Sequence, residues 1–180
     1  MNRDGDEALI RDCRKGDRQA LGSLVRRYER PVYNAAYRML GNADEAADVA
    51  QTTFLKAFEH LDRYNPKYRF FSWIYRIAVN ESIDRLNGRS RLRELDEPPA
   101  SNDPGPDDIE GQRQLSRQLQ SSLMGLTEDQ RAVIMLRHFV EISYREIGEI
   151  LQIPEKTVKS RLFTARQRLK DMLEVEGVHP

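Results

Sequence analysis

Residues 94–110, ELDEPPASNDPGPDDIE, hold seven acids, four prolines and no base. Each proline removes a backbone donor and disfavours helix at the residue before it, and the like charges repel. The segment reads as an extended tether with little structure of its own. It divides the 180-residue chain into two blocks, each the size of a small bundle. Both blocks show helical apolar periodicity and no convincing strand-type alternation. The expected fold is all-α: two small helical domains, residues 1–93 and 111–180, joined by a flexible, acidic, proline-rich linker at 94–110. The C-terminal domain is expected to contain a helix-turn-helix.

Composition excludes several functional classes. Net charge is zero, with 39% hydrophobic and 32% charged residues, which suits small bundles with much surface. No apolar run approaches the roughly 20 residues of a membrane span, so no membrane insertion is expected. The start, MNRDGDEALIRDCRKGD, lacks the apolar core of a signal peptide. Cys13 is the sole cysteine, which leaves no internal disulfide and suits a cytoplasmic protein. His60, His138 and His179 are scattered without metal-ligand spacing, and no Gly-rich phosphate loop is present. The carboxylate pair Asp107-Asp108 lies in the tether. No catalytic residues, metal or cofactor are expected, and the chain is not read as an enzyme.

In the first block, Gly16-Asp17 and Gly41-Asn42 mark helix boundaries, and Pro31 predicts a kink or a new helix start. From Ala43 to Leu61, the spacing Ala47, Ala50, Phe54, Phe58, Leu61 predicts a buried stripe. The other face of that helix carries Asp44, Asp48 and Gln51. A fourth helix is expected from near Phe70 to about Gly88. Half of the 14 aromatics fall between Phe58 and Tyr75, interleaved with Arg63, Lys67, Arg69 and Arg76. Aromatic faces stack on unpaired bases while cations follow phosphates, so this mixture suits single-stranded nucleic acid. Phe70 and Trp73 suit core packing equally well, whereas Tyr64, Lys67, Tyr68 and Asn80 are the better contact candidates.

In the second block, Thr127 and Ser143 are placed to cap helices, with Glu146 completing a capping box at the second. A short helix from Tyr144, the turn Gln152-Ile153-Pro154 and a long basic helix make a helix-turn-helix. Between Lys156 and Lys170 there are six bases and no acid. On a helical wheel Val158, Leu162, Ala165 and Leu169 form one stripe. Lys156, Ser160, Phe163 and Gln167 lie opposite, flanked by Lys159 and Arg166. Such a helix fits the major groove of duplex DNA. The exposed Phe163 can contact sugar or a thymine methyl group.

The order of these blocks resembles the extracytoplasmic-function (ECF) sigma factors, the two-domain bacterial initiation factors of the sigma-70 family. DVAQTTFLKAF (48–58) is similar to the family's stretch that docks on the clamp helices of the RNA polymerase largest subunit. FFSWIYRIAVNESIDR (70–85) is similar to its promoter-melting and −10-recognition helix. LTEDQRAVIMLRHFVEISYREIGEIL (126–151), followed by IPEKTVKSRLFTARQRL (153–169), is similar to its −35-reading domain.

The resemblance implies core polymerase contact, at the clamp helices and flap, with Asp44, Asp48 and Gln51 on the clamp-facing surface. It implies −10 recognition and melting by Tyr64, Lys67, Tyr68, Arg69, Trp73, Arg76 and Asn80. For the −35 element it implies Lys159, Ser160, Arg161, Phe163 and Arg166, to which the wheel adds Lys156. Arg161 lies nearer the core side of the wheel, which suits a phosphate or an intraprotein partner. The resemblance also implies promoter DNA and an anti-sigma factor as partners. The tether corresponds to the segment that threads toward the polymerase cleft. Gly88 departs from the family pattern and predicts an early end to the −10 helix. A stand-alone helix-turn-helix regulator, dimeric on duplex DNA, is the alternative; it leaves the aromatic-basic stretch and the acidic helix face without a role.

Overall fold

Caps written into the sequence set the helix boundaries. The computed structural model describes residues 3–93 and 110–175. After α1 (Arg3–Arg14), the Asp17 side chain accepts from the amides of Gln19 and Ala20 and so starts α2 (Arg18–Leu40). α2 ends at Gly41, whose φ of 67° is left-handed and whose amide donates to Tyr37 O. A Cβ at Gly41 would also stand 2.8 Å from Met124 Sδ. The left-handed backbone is what favours glycine there, since the methionine side chain can shift. Asn42 accepts from the Glu45 amide and opens α3 (Ala43–Glu59). A 3-10 turn (Leu61–Arg63) and a short loop lead to α4 (Phe70–Arg93).

Local expectations change at three places. At Pro31 no new helix starts: α2 runs through it, because Tyr28, Val32, Ala35 and Ala36 on both sides of the proline are buried. Their packing outweighs the roughly 3 kcal/mol that an interior proline costs a helix. In α3, Ala47 is exposed and the stripe runs through Ala46, Val49, Ala50, Thr53, Phe54 and Ala57. Alanine is too small to mark a face by its own periodicity. α4 continues past Gly88 to Arg93. Gly88 has open space around its Cβ direction, so it costs the helix only about 1 kcal/mol of propensity.

The first core forms where α2, α3 and α4 bury Leu24, Tyr28, Met39, Phe54, Phe70 and Ile74. Tyr28 places its hydroxyl 2.5 Å from Asp6 on α1, and Arg27 pairs with the same carboxylate, so that buried acid is satisfied.

The second domain contains α5 (Glu110–Met124), α6 (Glu128–Ile134), a π-helical turn (Met135–Phe139), α7 (Tyr144–Leu151) and α8 (Glu155–Val175). Thr127 with Gln130, and Ser143 with Glu146, form complete capping boxes on α6 and α7. Gly148 of α7 closes the helix-turn-helix: a Cβ there would lie 2.8 Å from Ile153 O. Leu136, Ile147, Ile150, Val158 and Leu162 make the core. The acidic segment lies outside the described residues, apart from Glu110 at the start of α5.

The domains dock on one another. Gln120 of α5 donates to Tyr37 O (3.2 Å) and Arg38 O (3.4 Å), and accepts from Arg38 (3.0 Å). Arg131 of α6 is 5% exposed and donates to Met39 O as well as to Leu123 O, Met124 O and Leu126 O. Arg38 also sits 4.5 Å above the Phe139 ring. The carbonyls at the end of α2 thus receive donors from the other domain, and α7 lies against α4.

Candidate nucleic-acid interface

α8 presents the face expected of a recognition helix. Val158, Leu162 and Ala165 are buried, while Lys156, Lys159, Ser160, Arg166 and Gln167 are exposed and Phe163 is 67% exposed. The Phe163 ring is thus open to a partner, with cations on either side of it. Lys159 pairs with Glu155 at 2.8 Å, and that hydrogen bond pushes its ammonium pKa up. Arg161 is half-buried and pairs with the exposed Asp129 at 2.7 Å, so it joins α8 to α6. Arg166 Nε donates to His138 Nε2 (3.2 Å), which requires that ring nitrogen to be unprotonated. Burial and the neighbouring Arg166 and Arg137 push the His138 pKa down, in agreement.

The second candidate surface is the loop before α4 together with one face of that helix. Tyr64 is 4% exposed, with its ring against Phe70 and Trp73 at centroid distances of 5.7 and 5.5 Å. Its hydroxyl donates to Tyr68 O (2.6 Å). In this arrangement Tyr64 offers no ring face to a base and instead shapes the loop. Arg14 of α1, a residue the sequence reading did not single out, also holds the loop through Leu61 O (2.9 Å) and Tyr64 O (2.8 Å). The loop so fixed leaves Lys67 and Arg69 exposed and Tyr68 49% exposed. Trp73 is half-buried and Asn80 exposed. Arg69 pairs with Glu146 at 3.1 Å, and Arg76 donates to Glu149 O at 2.5 Å. Both partners belong to α7, so the second domain covers part of this surface.

α3 carries a third surface. Asp44, Asp48 and Gln51 are all exposed on it, and Asp48 pairs with Arg85 of α4 at 2.8 Å. Leu55 beside them is 64% exposed. The sequence reading did not single out Leu55, because one apolar residue off the buried stripe is ordinary on a helix surface. No helix among the described residues is long and apolar enough to cross a membrane.

Residues 24–92 match the family profile Sigma-70 region 2, and residues 116–169 match Sigma-70, region 4. Over 176 residues the chain is 36% identical to the ECF RNA polymerase sigma factor SigW of Bacillus subtilis (strain 168), covering 91% of this chain and 94% of that protein. The chain belongs to the ECF sigma factors of the sigma-70 family. It is 32% identical over 181 residues to the ECF RNA polymerase sigma-E factor of Escherichia coli (strain K12), covering 94% of each chain. Its fold is similar to that of CnrH, solved in complex with the cytosolic domain of CnrY, with a TM-score of 0.71 and 26% identity over 95% of this chain and 98% of that one.

The region 2 match takes in most of α2, all of α3 and nearly all of α4; the region 4 match takes in α6, α7 and much of α5 and α8. Having both regions, this ECF sigma factor is a transcription initiation factor that directs RNA polymerase to promoters. A stand-alone regulator would need only the second.

Proposed function

We propose that this sigma factor divides promoter recognition among its three exposed surfaces, within a region 2 domain at 1–93 and a region 4 domain at 111–180. α8 enters the major groove of the −35 element. Ser160 and Phe163 lie toward base edges, and Lys156, Lys159 and Arg166 hold phosphates. Arg161 ties α8 to α6 through Asp129. The loop and α4 take the melted −10 strand. There Tyr68 and Trp73 offer stacking faces, Lys67, Arg69 and Arg76 offer charge, and Asn80 meets base edges. Tyr64 positions the loop. Asp44, Asp48, Gln51 and Leu55 dock on the clamp helices of core polymerase, region 4 meets the flap, and the acidic linker threads toward the polymerase cleft. An anti-sigma factor holds the chain inactive, a partner in keeping with the complex that CnrH forms with the cytosolic domain of CnrY.

The single observation that carries this reading is the basic outer face of α8, with Phe163 67% exposed at its centre. In vitro transcription with core polymerase on fragmented genomic DNA, mapping 5′ ends, tests it. Discrete new starts sharing a −35 and −10 pair are expected. Sequence-specific duplex binding without new starts would refute it.

A further inference from the structure

Arg166 differs from its neighbours on α8 in the partner that holds it. Lys159, Arg161 and Lys170 pair with Glu155, Asp129 and Glu174 at 2.8, 2.7 and 3.4 Å. Each of those carboxylates offsets the charge of the cation it holds. Arg166 has no acidic partner among the described residues; its Nε donates to His138 Nε2 at 3.2 Å, 28 positions back in the chain. The ring belongs to the π-helical turn that follows α6 (Met135–Phe139), closed by the Val140 amide on Met135 O at 3.2 Å. Widened turns of this kind are frequent at functional sites. Arg166 is exposed, and no described hydrogen bond occupies its two terminal nitrogens.

A neutral ring fixes a guanidinium without neutralising it. With Nε held from the side, the terminal nitrogens make a planar fork that can take two oxygens of one phosphate. A carboxylate in the place of His138 would compete with the phosphate for that charge. The arrangement requires Nε2 to be unprotonated, which leaves the ring proton on Nδ1. Partial burial, then the Arg166 and Arg137 cations, push the His138 pKa below its ordinary value. Lys170 and Glu174 of α8 line an apolar cleft beside the ring, together with Leu119 of α5 and Ile134 of α6. Glu174 is taken up by Lys170, so it does not offset the two arginines. Arg38 of α2, 4.5 Å above the ring of the next residue, Phe139, is a further cation of the neighbourhood.

We infer that His138 is a positioning residue for duplex binding: its neutral Nε2 presets Arg166, so that the guanidinium fork meets a DNA phosphate with its charge intact. This rests on the assignment of the α8 face to duplex DNA made above. Holding a long side chain in its bound geometry removes part of the ordering cost of binding. A proton on Nε2 turns the acceptor into a donor, and the imidazolium then repels the guanidinium. The preset is therefore complete where the ring is neutral and is lost as pH falls through its pKa. The same proton adds a charge that attracts DNA in general. Acidification thus moves total affinity and the share owed to Arg166 in opposite directions.

The test titrates the full chain onto a fluorescein-labelled random duplex at low salt, with binding read by anisotropy. His138→Leu and His138→Gln are each compared with and without Arg166→Ala, and circular dichroism checks every fold. Glutamine places an acceptor where Nε2 stands and does not titrate. At about pH 8, Arg166→Ala should weaken binding and reduce the slope of log K against log salt by about 0.9, one phosphate contact. His138→Leu should weaken binding about two- to fivefold when Arg166 is present and leave it unchanged when Arg166 is absent. His138→Gln should bind as the wild type does. Between about pH 8 and about pH 5, the wild-type advantage over Arg166→Ala should shrink about two- to fivefold, while in the His138→Gln background it should hold constant. Equal losses from His138→Leu with and without Arg166, or a wild-type advantage that does not change with pH, overturns the positioning role. Should His138→Leu misfold, the glutamine comparison and the pH profile decide alone. If Arg166→Ala binds duplex as well as the wild type, the assignment of Arg166 to phosphate falls, and the inference falls with it.

Discussion

Arg131→Met should destabilise the second domain by about 2 kcal/mol. The guanidinium is 5% exposed and donates to Leu123 O (2.8 Å), Leu126 O and Met124 O (both 3.0 Å), and Met39 O. The first three carbonyls belong to the end of α5 and the turn after it, beyond the helix's own amide ladder; among them Leu123 O also accepts from the Leu126 amide at 3.1 Å. Methionine fills similar volume but has no donor. Leu123 O keeps the Leu126 amide, so the buried acceptors that depend on the guanidinium are those at Leu126 and Met39; each losing its donor costs at least about 1 kcal/mol, while water can reach the part-buried Met124 O. Relief of guanidinium desolvation, which also lowers the pKa of Arg131, offsets some of the loss of charged hydrogen bonds. Urea unfolding followed by far-UV circular dichroism gives the total. Trp73 is the sole tryptophan and lies in the first domain, so its fluorescence reports that domain separately. The circular dichroism transition should move to lower urea, and the Trp73 transition should follow to the extent that the Met39 contact couples the domains. A loss below about 1 kcal/mol would refute the assignment of Arg131 as the acceptor-satisfying centre of the corner.

Phe163→Ala should leave stability within about 0.5 kcal/mol, because the ring is exposed. It should weaken promoter binding by holoenzyme about tenfold, within the range of one base contact; equal affinity on matched and mutated −35 elements is the signature to look for. Leu55→Asp should likewise leave the fold intact and reduce core polymerase affinity at least about tenfold, measured by competition against unlabelled wild type. Burial raises the Tyr75 pKa from its ordinary value near 10 to about 12. The native state therefore keeps a proton that the unfolded chain loses. That part of the stability is complete below about pH 10 and is lost as pH rises through about 12. A difference titration of phenolate absorbance against Tyr75→Phe should place this group near pH 12.

Local chemistry made much of the fold legible. Asp17, Thr127 and Ser143 cap helices because a short side-chain acceptor can satisfy orphan amides two or three residues on, whatever the tertiary context. The α8 stripe was readable because Val158 and Leu162 are large and apolar and the positions opposite them are not. Reading failed where local preference was weak or overruled. Ala47 carries too little apolar area to fix a face, and Ala46 took the core instead. Gly88 and Pro31 mark breaks by propensity, but α4 and α2 pass through them: the glycine costs only about 1 kcal/mol, and the buried turns on both sides of Pro31 outweigh the roughly 3 kcal/mol of the proline. Tyr64 looked like a stacking platform by composition. Its ring was claimed by Phe70 and Trp73.

By itself the sequence determined the helices, their caps, the division into two domains, and the basic and acidic faces, since each depends on residues within a few positions of one another. Only the tertiary structure decided that the domains clasp, that Arg69 and Arg76 face α7, and that Arg131 reaches the end of α2. Those contacts join residues 73 to 92 positions apart, and two of the three acceptors are backbone carbonyls. Every residue has a carbonyl, so no residue type marks the ones that chain packing will leave open to a distant arginine.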